Sequence, residues 1–99
     1  MNSFYEKIYS KLRQVPKGKV TTYKALAHAV RSKAYRAVGT AMNKNPYAPK
    51  VACHRVINSD GKIGGFASGT ANKIKMLKAE GVEIVGGKID MKRFLYKFK

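Results

Sequence analysis

The strongest constraint on the fold is punctuation. Pro16-Lys17-Gly18 and Asn45-Pro46-Tyr47-Ala48-Pro49 are segments that no regular helix can cross, because proline has no amide hydrogen and clashes with the preceding turn. Helical periodicity is confined between them. Ser3-Phe4-Tyr5-Glu6 is a capping-box pattern, and Phe4, Ile8 and Leu12 recur at helical spacing beside Tyr5 and Tyr9, which predicts a helix over 4–14. After the first break, Thr21 or Thr22 can cap a second helix through Val30, with Ala25, Leu26, Ala29 and Val30 as a narrow apolar face. Arg31-Ser32 supplies a short turn and a new cap. A third helix from Lys33 to about Lys44 then buries Ala34, Ala37, Val38, Ala41 and Met42 and leaves Lys33, Tyr35, Arg36, Thr40, Asn43 and Lys44 around its remaining circumference. This is a helix, short turn, helix unit with long polar side chains on its second member, as a recognition helix offers to DNA.

Beyond Pro49, Val51 to Ile57 is short, apolar and β-branched enough for a strand. Asn58-Ser59-Asp60-Gly61 is a strong turn signal, so Lys62-Ile63-Gly64-Gly65-Phe66 can return as the other arm of a hairpin, a wing beside the helix pair. Ser68 or Thr70 can start a fourth helix through Ala79, with Ile74 and Leu77 inward and Gly81 at its C-terminal cap. The tail is open to two readings: a second small hairpin around Gly86-Gly87, or a short basic helix from Met91 to Phe98. The expected fold is mainly α with a small β-hairpin wing, a winged helix-turn-helix-like DNA-binding domain.

At 99 residues the chain is long enough for one domain, residues 1–99, with a single modest core. It holds 21 Lys and Arg against 5 Asp and Glu, a formal charge of +16. Between Lys7 and Ser59 there are 12 basic residues and no carboxylate, which points to a polyanion such as nucleic acid. No run is long and apolar enough for a membrane span, and the N-terminus lacks a signal-peptide pattern. One cysteine and two histidines exclude an internal disulfide and are too few for a structural zinc site.

The densest chemistry lies at Val51-Ala52-Cys53-His54-Arg55-Val56. A lone cysteine in an apolar strand is more often a small buried side chain than a nucleophile. Here, however, the stretch resembles the active-site strand of the O6-alkylguanine-DNA alkyltransferases (methylated-DNA-protein-cysteine methyltransferases), in which Pro-Cys-His-Arg-Val holds the alkyl-accepting cysteine. The resemblance continues through Val15-Pro16-Lys17-Gly18-Lys19-Val20-Thr21-Thr22-Tyr23, Arg36-Ala37-Val38-Gly39, Asn45-Pro46, Gly61, Lys73 and Glu80-Gly81, and so covers about residues 3–91. It takes in the family's C-terminal catalytic domain only, without the N-terminal domain that carries structural zinc in some members. Ala52 departs from the usual proline, a change that loosens the chain before the nucleophile.

The resemblance implies a set of roles. Cys53 accepts the alkyl group. His54 takes the thiol proton through a bridging water and is oriented by Glu80, because an unperturbed thiol with a pKa of about 8.5 is only slightly ionised at neutral pH. Asn45 supports the active-site loop. Arg36 fills the gap left by a nucleotide extruded from the duplex, a step that chemistry on a paired base requires, and Tyr23 helps rotate its phosphate and bonds the flipped guanine. The carbonyls of Cys53 and Val56 accept the guanine amine, Phe66 walls the alkyl pocket where relatives often carry tyrosine, and Ala67 falls where some carry serine, a change that is tolerated if it is the backbone amide that contacts the guanine oxygen. On a regular strand Cys53 and His54 would face opposite ways, so their pairing must be indirect or sit in a bent segment. His28 matches no catalytic position.

No cofactor and no metal are implied. The partner implied is double-stranded DNA containing O6-alkylguanine, met by a monomer in the cytoplasm, or in the nucleus of a eukaryote. Transfer would be stoichiometric, since a thioether is a poor leaving group. The alternative within the same resemblance is an alkyltransferase-like protein that senses the flipped base and recruits other repair without transfer. Those proteins usually lack the cysteine. A third reading is an architectural DNA-binding protein with Cys53 inert.

Overall fold

The computed structural model describes residues 3–47, 51–65 and 69–98. Five helices, a 3-10 turn and a two-stranded sheet are found among them: α1 (Ser3–Leu12), β1 (Thr21–Thr22), α2 (Tyr23–Ala29), α3 (Tyr35–Asn43), the 3-10 turn Cys53–Arg55, β2 (Val56–Ile57), α4 (Thr70–Ala79) and α5 (Met91–Phe94). The structure is mainly helical, as the periodicity predicts. None of these helices is long and apolar enough to cross a membrane.

The first three helices pack on one another around Ile8, Tyr9, Leu12, Leu26, Val38 and Ala41, all fully buried. The cap of α2 is Thr22, whose hydroxyl accepts the Ala25 amide at 2.9 Å. Arg31 then takes a left-handed conformation at φ 59°, and Ser32 Oγ accepts the Ala34 amide, so α3 starts at Tyr35, two residues later than expected and without a side-chain cap of its own.

Two expectations are corrected. The chain does turn back at 58–61, where the Asn58 amide donates to Lys62 O at 3.0 Å, but among the described residues Val56–Ile57 forms its ladder not with 62–65 but in parallel with β1, Thr21 opposite Val56 and Thr22 opposite Ile57. Lys62 instead bridges Lys88, far along the chain, and Phe66 lies outside the described residues. Nor is 51–57 a continuous strand, because Cys53–Arg55 coil into a 3-10 turn. The local signals were those of a hairpin. Burial won, since β2 lies between two cores: Val56 faces the one built by α1–α3, and Ile57 faces a second one made with Val20, Ile63, Leu77, Val82, Ile89 and Phe94. In the tail each reading holds in part. Val85 and Lys88 exchange hydrogen bonds across Gly86-Gly87, and a single helical turn, α5, follows.

The end of α4 positions an acid. Gly81 sits at φ +88°, a conformation that costs a side chain dearly, with its amide bonded to Lys78 O (3.0 Å) and that of Val82 to Leu77 O (3.1 Å). This pair of bonds is a Schellman motif, and Val82 and Leu77 share the second core beneath it. Glu80, the residue before Gly81, is thereby fixed at the helix end. Gly18, also left-handed at φ +89°, brings the 15–18 turn up against it: a β-carbon there would lie 3.3 Å from Glu80 O.

Candidate active site

α3 presents two faces. Val38 and Ala41 enter the core, and Arg36, Gly39, Thr40 and Asn43, spaced three and four apart, line a cavity of about 380 Å³ on the other side. Tyr23, Cys53 and Gly65 form the remainder of its wall together with Met42. Three of the residues singled out from the sequence, Tyr23, Arg36 and Cys53, thus open onto one space, although they lie on three different elements. Tyr23 is the first residue of α2, held by the Thr22 cap, and its phenol pKa is raised by burial and by the neighbouring Cys53. It therefore stays protonated and able to donate a hydrogen bond across the physiological range.

The 3-10 turn sorts the Cys-His-Arg run. With three residues per turn, successive side chains fan out by about 120°. Cys53, half-buried, reaches the cavity, whereas His54 is buried and Arg55 half-buried on the side of α4. His54 Nε2 lies 3.1 Å from Glu80 Oε2, off the line of a good hydrogen bond, so Nε2 has no well-aligned partner. Burial holds the imidazole below its usual pKa; Glu80 opposes that shift and the Arg55 and Lys73 charges add to it. His54 is accordingly neutral at pH 7 and free to accept a proton. On Glu80, burial pushes the carboxyl pKa up, but the hydrogen bonds and charge of Arg55 and the closeness of His54 prevail and keep it below the ordinary value.

Two groups in this site were not foreseen as such. Arg55 grips both Glu80 oxygens and also donates to Val15 O at 2.8 Å, tying the acid to the turn after α1. Lys73 is fully buried, and its Nζ donates to Val56 O at 2.6 Å and Gly65 O at 3.2 Å. Burial lowers its pKa to about 8, against a raising influence from Cys53. A signal existed for Lys73, because it precedes the inward Leu77 by one helical turn. The Val56 carbonyl assigned to guanine recognition is thus already an acceptor for Lys73, and that of Cys53 accepts the Val56 amide. Each has a second lone pair.

Asn45 closes the loop ahead of the nucleophile: Nδ2 donates to Val51 O at 2.7 Å and Oδ1 accepts the Tyr47 amide at 2.9 Å. Ala67, like Phe66, lies outside the described residues. His28 sits away from the cavity, 3.4 Å from the Tyr35 hydroxyl. Among the described residues no cluster of three or more His, Cys, Asp or Glu side chains could hold a metal ion.

The chain has known relatives. The family profile described as "6-O-methylguanine DNA methyltransferase, DNA binding domain" matches residues 3–82. The chain belongs to this family. Among relatives of the methyltransferase family, a bifunctional methyltransferase/endonuclease of Picrophilus torridus is 43% identical over 93% of this chain and 31% of its own length. A methylated-DNA--protein-cysteine methyltransferase of Methanosarcina barkeri is 46% identical over 78% of this chain and 49% of its own. The chain therefore spans half or less of the length of these methyltransferases. In shape it is similar to S. pombe Atl1, solved in complex with damaged DNA containing O6-carboxymethylguanine, with a TM-score of 0.86 and 34% identity over 99% of this chain and 98% of that one.

Proposed function

We propose that the protein repairs DNA by moving an alkyl group from O6-alkylguanine in duplex DNA to Cys53. The observation that carries this reading is the common cavity of Cys53, Tyr23 and Arg36, backed by a neutral His54 and an ionised Glu80. α2 and α3 act as the helix-turn-helix unit, and the basic surface holds phosphates without regard to sequence, which suits a lesion that can stand beside any base. Arg36, exposed on α3, fills the space of the extruded nucleotide. The cavity has the volume expected of a small-molecule pocket and admits a single base.

In the reaction the thiol proton passes to His54 through a water, since the fan of the 3-10 turn separates the two side chains. The thiolate sulfur attacks the O6-methyl carbon, the carbon–oxygen bond breaks, and its electron pair stays on the guanine, which recovers a proton at N1. Tyr23, kept protonated, donates to the base. Guanine and S-methyl-Cys53 are the products, and one protein molecule serves one lesion.

A second reading, damage sensing without transfer, is favoured by the end-to-end match to S. pombe Atl1. Intact-mass measurement after incubation with an O6-methylguanine duplex distinguishes them. Gain of one methyl, lost in Cys53→Ala, is the expected result; unchanged mass with tight, damage-selective binding would establish the sensor instead. Arg36→Ala should slow repair of duplex DNA far more than reaction with free O6-benzylguanine, because only the duplex leaves a gap to fill.

A further inference from the structure

We propose that Glu6 and Tyr47 form a clasp that positions the Cys53 segment, so that the nucleophile is held from α1 as well as from the His54–Glu80 side. The inference rests on the alkyl-transfer reading for its rate consequences, not for its geometry. Tyr47 lies six residues before Cys53, in the loop that Asn45 closes. Its carbonyl accepts the Val51 amide at 3.2 Å, and Val51 O in turn accepts both Asn45 Nδ2 at 2.7 Å and the Cys53 amide at 2.9 Å. Both polar backbone groups of Val51, two residues from the nucleophile, are thus claimed by Asn45 and Tyr47.

That closed loop is tied to the body of the protein through the Tyr47 side chain. The phenol donates to Glu6 Oε1 on α1 at 2.7 Å, the ring meets the edge of Tyr9 at 5.5 Å between centroids, and the Arg13 guanidinium stands 5.1 Å from its centre. Tyr9 is fully buried and donates to Ala41 O on α3 at 2.8 Å. One chain of contacts therefore joins the Cys53 segment to α1 and to the helix that carries Arg36. The choice of partner is telling in a strongly basic protein: Glu6, the last acid before Asp60, accepts from a neutral phenol. Reaction rates depend steeply on the position of the attacking atom, and with alanine at position 52 the local backbone is less restricted than proline would make it.

The test compares wild type with Tyr47→Phe, Glu6→Ala, Glu6→Gln and the double variant Glu6→Ala/Tyr47→Phe. Tyr47→Phe keeps the ring and removes only the hydroxyl. Single-turnover methyl transfer at saturating O6-methylguanine duplex should slow by roughly three- to tenfold in Tyr47→Phe and in Glu6→Ala, with duplex Kd within about twofold of wild type. The double variant should be no slower than the slower single one, because both remove the same bond. Glu6→Gln, whose amide oxygen still accepts, should retain most of the rate. Wild-type rates in Tyr47→Phe and Glu6→Ala would overturn the clasp, as would additive losses or a Glu6→Gln as slow as Glu6→Ala. Alkylation of Cys53 by iodoacetamide, followed by mass across pH 6–9 (about the range in which a thiol ionises), is read in parallel without DNA. If wild type transfers no methyl, the repair reading falls while this measurement still decides the clasp: a changed iodoacetamide rate in Tyr47→Phe and Glu6→Ala supports it, and equal rates overturn it.

Discussion

Arg55 and Glu80 meet at two points, Nε to Oε1 at 2.9 Å and Nη2 to Oε2 at 2.6 Å, and it is Oε2 that also lies 3.1 Å from His54. The acid is shared, with the larger part of its hydrogen bonding spent on the arginine. A carboxylate at the C-terminal end of α4 is opposed by the helix dipole, and the bidentate cation offsets that cost. Arg55→Met should therefore destabilise the fold by about 3–5 kcal/mol, the range for removing one partner of a largely buried pair. It should also raise the His54 pKa, because the Arg55 charge lowers it in the intact protein. An NMR titration of the His54 ring that matches wild type would contradict this coupling.

Lys73 makes stability depend on alkaline pH. Its pKa falls from 10.5 in the open chain to about 8 in the fold, so between those values the unfolded chain binds the extra proton. Stability from this group is complete above the unfolded pKa and is lost as pH falls through 8. Unfolding free energy should rise by about 1–2 kcal/mol between pH 8 and pH 9.5. In Lys73→Met that rise should disappear; denaturant melts that keep the wild-type slope would show that Lys73 is not its source.

Ala52 stands where the Pro-Cys-His-Arg-Val motif it resembles has proline, and the backbone still suits one. Its φ of −82° is close to the proline value, and its amide makes no hydrogen bond among the described residues. Ala52→Pro should raise stability by about 0.4–1 kcal/mol by restricting the unfolded chain. A lower melting temperature would mean that the buried backbone at this position lacks room for the ring.

Gly39 lies in the middle of α3 and lines the cavity, and a β-carbon there would meet nothing within 4 Å. Helix propensity makes glycine the poorer choice by about 0.8–1 kcal/mol. Gly39→Ala should accordingly stabilise the protein by that amount while weakening binding of a damaged duplex, because the bare surface lets DNA approach. Calorimetry and a fluorescence binding titration read the two effects separately, and unchanged affinity would leave the glycine without a binding role.

The elements set by short-range chemistry were legible in the chain. The break at 16–18, the end of α3 before Asn45-Pro46, the Thr22 cap, the two-faced α3 and the Gly81 stop on α4 each depend on residues within one or two helical turns of one another. The cysteine motif and its separated companions were readable too, as a pattern shared with a family. What could not be read was which distant segment a short strand would choose. Two residues, Val56 and Ile57, make hydrogen bonds equally well with a following hairpin arm or with Thr21–Thr22, and the decision fell to burial between two cores assembled from the whole chain. The same holds at the site. The sequence by itself determined that a thiol, an imidazole and a carboxylate are present at Cys53, His54 and Glu80. Only the tertiary structure decided that a 3-10 turn separates the first two, that Arg55 shares the third, and that Tyr47 reaches back 41 residues to Glu6. Such contacts depend on packing across the chain, and no local pattern encodes them.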